Sequence, residues 1–139
     1  MHFHNKSWKD KAFDLAESGI SLGMLCQLQA SVYAWAAAAE LAEQYLQNDD
    51  IYYWIMGGYG KSLQENGSHD EAIKYSKRAY EWELKRGQPL SSLTIAQSLM
   101  IKKDVDSAKP FIQAAYKIIG DEIYSQFPDD QTALLKTLL

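Results

Sequence analysis

Three histidines, one cysteine and several paired carboxylates are the side chains of this 139-residue chain that could do chemistry. His2 and His4 flank Phe3. Two imidazoles at i, i+2 without a third ligand hold zinc or copper weakly, because zinc sites use three or four protein ligands. They are read as part of a loose arm over residues 1–6, and no metal is expected. Cys26 sits among Met24, Leu25 and Leu28, an apolar surround in which a thiol is expected to be buried. No histidine is near it in sequence, so neither a Cys–His nor a Ser–His–Asp set is expected. Glu40/Glu43, Asp49/Asp50, Asp70/Glu71, Asp121/Glu122 and Asp129/Asp130 could do acid–base work if one carboxyl were buried beside another. Most fall at helix starts, where acids complement the helix dipole. Gly57-Gly58-Tyr59-Gly60-Lys61-Ser62 could cradle a phosphate if it opened a helix after a strand. A P-loop needs its first glycine where Ile55 stands, and the cluster lies inside a helical pattern. The expectation is a non-enzymatic chain with no cofactor.

The elements that must position these residues are helices. The apolar fraction is 47%, enough for a folded core, and three Pro and eight Gly are too few for an all-β chain of tight turns. Ser7 is an N-cap ahead of an apolar face at Trp8, Lys11/Ala12, Leu15 and Ala16, with a break expected near Ser18-Gly19. A second helix starts at Ser21 or Leu28 and runs to Gln47; its alanine run allows close helix approach. Asp49 or Asp50 caps a third helix over Ile51–Glu65, which Asn66-Gly67 ends. Ser68 and Glu71 form a capping box for a fourth, stopped by Gly87-Gln88-Pro89. A fifth runs over Leu90–Ile101. Asp104 or Asp106 caps a sixth, with Pro110 in its first turns. A short segment Glu122–Phe127 and a last helix after Pro128-Asp129-Asp130 complete an all-α chain, read as one domain over 1–139 with 120–139 as a C-terminal cap.

Two helix pairs are copies of one another. Tyr59, Gly60, Leu63, Ala72, Ala79 and Tyr80 recur as Ile95, Ala96, Leu99, Ala108, Ala115 and Tyr116, all at an offset of 36 residues. Helical periodicity alone does not produce a shared register. Small residues at Gly60/Ala96, Ala72/Ala108 and Ala79/Ala115 stand where helices cross, and large neighbours fill the remaining volume. On these residues the chain resembles the tetratricopeptide (TPR) family of helix–turn–helix repeats, closely over about 52–86 and less closely over 90–119. Met56 stands where the family has Trp, and Leu84 where a repeat ends in Pro. Before residue 50 the alanine-rich helix could be the second helix of a degenerate first repeat, without a clear register.

The resemblance implies a TPR-like superhelix of two to three repeats plus terminal helices, holding another protein or peptide in its groove. The implied groove residues are Tyr53, Trp54, Gly57, Lys61, Gln64, Leu93, Gln97 and Met100. Three glycines within four residues cost a helix about 2–3 kcal/mol, so another backbone or a partner is expected to pack closely there. Trp54 either faces the groove or packs on the alanine-rich helix. The family's clamp for acidic peptide C-termini uses a Lys and, one turn later, an Asn. This chain has Gly57 and Lys61, then Leu93 and Gln97, so that clamp is not expected.

Net charge is −4. The basic residues Lys74, Lys77, Arg78, Lys85 and Arg86 interleave with acids as a solvated helix face, and no nucleic-acid partner is expected. The charge favours a basic partner, as a bacterial immunity protein meets a toxin domain or a secretion chaperone meets an effector. Self-association as a homodimer or structural scaffold, through Leu134, Leu135, Leu138 and Leu139, is the alternative. One cysteine, no signal pattern and no apolar run of membrane length point to the cytoplasm.

Overall fold

Short polar punctuation cuts the chain into helices. Ser7 Oγ accepts from the Asp10 N–H at 3.1 Å and starts α1 (Trp8–Met24). Asp49 takes the Ile51 N–H at 3.0 Å ahead of α3 (Asp50–Glu65), and Asp104 takes the Ser107 N–H at 3.3 Å ahead of α6 (Val105–Ile119). Each cap satisfies a first-turn donor that the helix leaves free. Between them lie α2 (Leu28–Tyr45), α4 (His69–Lys85) and α5 (Leu90–Ile101). After α6 come 3-10 turns over Gly120–Gln126 and Asp129–Gln131, then α7 (Thr132–Leu138). The computed structural model describes residues 7–139, so His2, His4 and the arm expected over 1–6 lie outside the described residues. No strand occurs among the described residues.

Three local expectations change. Ser68 makes no side-chain cap bond, because its ψ of 72° leaves the extended backbone from which a hydroxyl reaches back to the first turn. Pro110 is the sixth residue of α6, past the four free N–H groups, so α6 forgoes one internal bond on an exposed face. And α1 runs unbroken through Ser18-Gly19. A Cβ at Gly19 would stand 2.6 Å from Trp35 Cδ1, so the glycine makes room for an indole and does not end a helix.

The helices form three hairpins, α1/α2, α3/α4 and α5/α6, each closed by a three-residue turn. They stack in order: α2 packs on α3, α4 packs on α5, and among the first helices α1 touches α3 and α3 touches α5. This is an all-α, TPR-like stack of three repeats with a terminal cap. The second helix of each hairpin buries one stripe: Ser31, Trp35, Ala38 and Ala42 on α2; Ala72, Ser76, Ala79 and Glu83 on α4; Ala108, Ile112 and Ala115 on α6. These stripes fix the register that the sequence left open. Gly19, Ser31 and Ala38 precede Gly60, Ala72 and Ala79 by 41 residues each, so the first hairpin is a full repeat. The crossing residues are bonded within it, Ser31 Oγ donating to the Gly19 carbonyl at 2.7 Å.

The C-terminal cap closes the other end. Ile123, Phe127 and Leu135 are buried with Ile95, Met100 and Ile112 in one apolar cluster.

Candidate functional site

The glycine-rich stretch of α3 is explained by this chain's own side chains. A Cβ at Gly57 would stand 2.6 Å from Glu83 Oε2; one at Gly58 would stand 2.8 Å from Trp35 Cζ2 and nearer still to Cη2. One at Gly60 would run into Ser76 Oγ and stand 3.0 Å from the Ser76 backbone nitrogen. Burying an indole removes about 200 Å² from water, worth about 5 kcal/mol. That exceeds the propensity cost of the three glycines, about 2–3 kcal/mol. The close approach expected here is therefore internal, and Gly57 is not a groove floor: it is buried against α4 and α5.

Among the described residues Glu83 is the one buried acid, at 3% exposure. It reaches across from α4 to cap α5, accepting from Ser91 N–H at 2.7 Å and from Ser91 Oγ. Burial pushes its carboxyl up, while the two bonds from Ser91 pull it the other way. Both of its hydrogen-bond partners are groups of Ser91, so Glu83 ties the end of α4 to the start of α5. Among the described residues no group of three or more His, Cys, Asp and Glu is placed to hold a metal ion. Cys26 is exposed and not buried as expected. It takes φ 59° in the turn between α1 and α2, which lifts it clear of both helices.

The stack leaves an open pocket between α1 and α3, about 470 Å³ in volume. Its floor is Gly19, Ser31, Trp35 and Gly58, and its walls include Ile20, Met24, Trp54 and Leu90. Lys61 and Glu65 stand at the polar side. Lys61 Nζ donates to Gln64 Oε1 at 3.0 Å and makes no ion pair among the described residues, so two of its three donors are unspent. The pocket mouth is apolar: Met24 is 80% exposed, and Ile20 and Leu90 are about two-fifths exposed.

The expected groove residues divide into three groups. Trp54 and Lys61 line this pocket. Trp54 packs on α1 and on the alanine-rich α2, its ring 5.7 Å from Phe13 and 5.7 Å from Trp35, and it also lines the pocket. Gln64, Gln97 and Met100 line a second pocket of about 290 Å³ between α3, α5 and the C-terminal segment. Gln64 Nε2 donates to Gln97 Oε1 at 2.8 Å, and Gln97 Nε2 donates to the Gln126 carbonyl at 2.7 Å. Tyr53, Gly57 and Leu93 line neither. Tyr53 stacks on Trp82 of α4 at 5.7 Å, which turns it to the side of the hairpin, and Leu93 packs on the apolar cluster under the cap.

Sequence reasoning missed Ile20, Met24, Trp35 and Leu90. The register explains why. Phe13, Trp54 and Leu90 occupy one position of the three repeats, and Ile20, Lys61 and Gln97 another. Both sets follow once the 41-residue offset is known, and Gly19/Gly60, Ser21/Ser62, Leu22/Leu63, Ala38/Ala79 and Glu40/Glu81 are among its identical pairs.

The two arginines of the basic cluster on α4 are engaged within the fold. Arg78 pairs with Glu43 and lies over Tyr75; Arg86 pairs with Asp50 at 3.4 Å and lies 3.9 Å over Trp82. No helix among the described residues is long and apolar enough to cross a membrane. The chain matches no family model and no curated protein sequence.

Proposed function

We propose that this chain is a non-enzymatic, TPR-like protein-binding module whose site is the open pocket between α1 and α3. The supporting observation is the pocket itself: about 470 Å³, walled by exposed apolar side chains, with an unspent cation at its edge. An apolar concavity with a few convergent polar groups is the usual form of a binding site. Trp54 and Trp35 supply the rigid aromatic surface on which binding energy concentrates. The net charge of −4 favours a basic partner protein at long range. Neutralising or escorting one such partner, as an immunity protein or secretion chaperone does, is the form of this activity that charge and size favour.

The test is capture of partners from the source cell by the wild-type chain and by an Ile20→Asp/Lys61→Glu variant. Both positions are partly exposed, so the variant keeps the helical spectrum of the wild type. The expected result is a partner retained by the wild type and lost by the variant. Identical partner sets from the two chains would place binding on another face.

A further inference from the structure

The second pocket is walled along one side by a stretch of the chain's own polypeptide, whose Phe127 is buried in the apolar cluster beside it. Phe127 and Pro128 are extended, at φ −131°, ψ 159° and φ −56°, ψ 146°. They cross the groove side of α5 and wall the pocket between α3 and α5 together with Gln126 and Gln131. The Phe127 side chain is buried at 6% exposure, and Gln97 holds the carbonyl of the preceding residue at 2.7 Å. One large apolar side chain goes inward, and one backbone carbonyl is taken by a groove side chain.

The repeat register maps this arrangement onto the open pocket. Gln64 and Glu65 on the lower wall of this second pocket correspond to Gly23 and Met24, and Gln97 and Ile101 on its upper wall correspond to Lys61 and Glu65. The α1/α3 pocket thus presents the same four positions with no segment of the described residues walling it as residues 126–128 wall the second. Glycine in place of Gln64 enlarges it, consistent with about 470 Å³ against about 290 Å³. Where Gln97 offers a neutral amide, Lys61 offers an ammonium with unspent donors, and a charge-assisted bond to a carbonyl is the stronger of the two.

We propose that the α1/α3 pocket takes an extended segment of a partner polypeptide in the manner of Gln126-Phe127-Pro128: one aromatic side chain between Ile20, Met24 and Trp54, with the preceding backbone carbonyl on Lys61. The proposal rests on the binding function above and specifies the chemistry of what is bound. A segment that is already extended and carries proline loses little freedom on docking, which favours this kind of ligand.

The test uses the full chain and a synthetic peptide spanning residues 122–131, Glu-Ile-Tyr-Ser-Gln-Phe-Pro-Asp-Asp-Gln, added in trans. Binding is followed through the indole N–H resonances of Trp35 and Trp54. The expected result is saturable shifts at both indoles, lost at least tenfold in affinity when Phe in the peptide becomes Ala, and weakened several-fold by Lys61→Met. No shift at either indole overturns the proposal. So does binding that leaves the indoles still and responds to Gln97→Ala, which would mean that the peptide only displaces the chain's own segment. A concentration-dependent dimer with its contacts on Ile20 and Trp54 assigns the pocket to a second copy, and also overturns it. Failure of the peptide alongside groove-dependent capture of a partner rejects this ligand chemistry alone. Capture that ignores the groove rejects the binding reading itself.

Discussion

Gly60 has no room for a methyl group, and Gly23 has. A Cβ at Gly60 would meet Ser76 Oγ, the Ser76 backbone nitrogen at 3.0 Å and the Ala72 carbonyl at 3.2 Å, whereas one at Gly23 meets only Ser31 Oγ, at 3.4 Å. Helix propensity alone predicts that alanine stabilises at both, by up to about 1 kcal/mol. Packing reverses the sign at one of them. Gly60→Ala is expected to destabilise by about 1–3 kcal/mol, and Gly23→Ala to be neutral or stabilising, as read from urea midpoints. Equal shifts at both positions would mean that propensity and not close packing governs these glycines. Glu83 carries the second expectation. Its pKa is raised in the fold, so its contribution is greatest in acid, below the ordinary carboxylate value of about 4.3, and is lost as pH rises through the raised value. The stability difference between Glu83→Gln and wild type should therefore move in favour of the variant as pH rises through that window. Glu83→Ala, which leaves the Ser91 N–H without its acceptor, should cost about 1–3 kcal/mol at neutral pH. A Glu83→Gln difference that does not change with pH would contradict the raised pKa.

Trp35 links two elements that the sequence does not show to be neighbours. It stands over Gly19 of α1 and Gly58 of α3, at 6% exposure, and so wedges the first hairpin onto the second. Trp35→Ala should cost about 3–5 kcal/mol. In a stack where each repeat contacts its neighbours, the loss should be local. Amide exchange should accelerate in α1 and α2 and stay slow in α5 and α6; uniform acceleration would mean that the molecule opens as one unit. The second and third repeats were legible in the sequence because Ala79/Ala115 and Tyr80/Tyr116 recur in one register. The first repeat was not. Its second helix buries Ser31 and Trp35 where the next hairpin buries Ala72 and Ser76, so volume is redistributed between facing helices and side-chain identity is lost at those two positions. The helices also differ in length: α5 has 12 residues against 16 in α3, and α4 has 17 against 18 in α2, which together change the offset from 41 to 36. Trp54 and Lys61 were found because they lie in the readable repeat. Ile20 and Met24 were not, because they lie in the other.

Charge and the C-terminal cap act on the molecule as a whole. With a net charge of −4, association with a basic partner should slow as ionic strength rises, since screening shortens the reach of the field to about 8 Å at 0.15 M salt. A rate independent of salt would remove charge as the reason for partner choice. The cap over residues 120–139 buries Ile123, Phe127 and Leu135 against α5 and α6. A chain ending at Ile119 should unfold at lower urea than the full chain; an unchanged midpoint would make the cap an appendage. The most direct measurement concerns where the partner sits. A photoreactive residue at position 20, in the pocket wall, is compared with one at position 33, where Tyr33 is exposed on α2 outside the pocket. Cross-linking to the captured partner from position 20 and not from position 33 is the expected result. Cross-linking from position 33 alone would contradict the assignment of the α1/α3 pocket as the binding site.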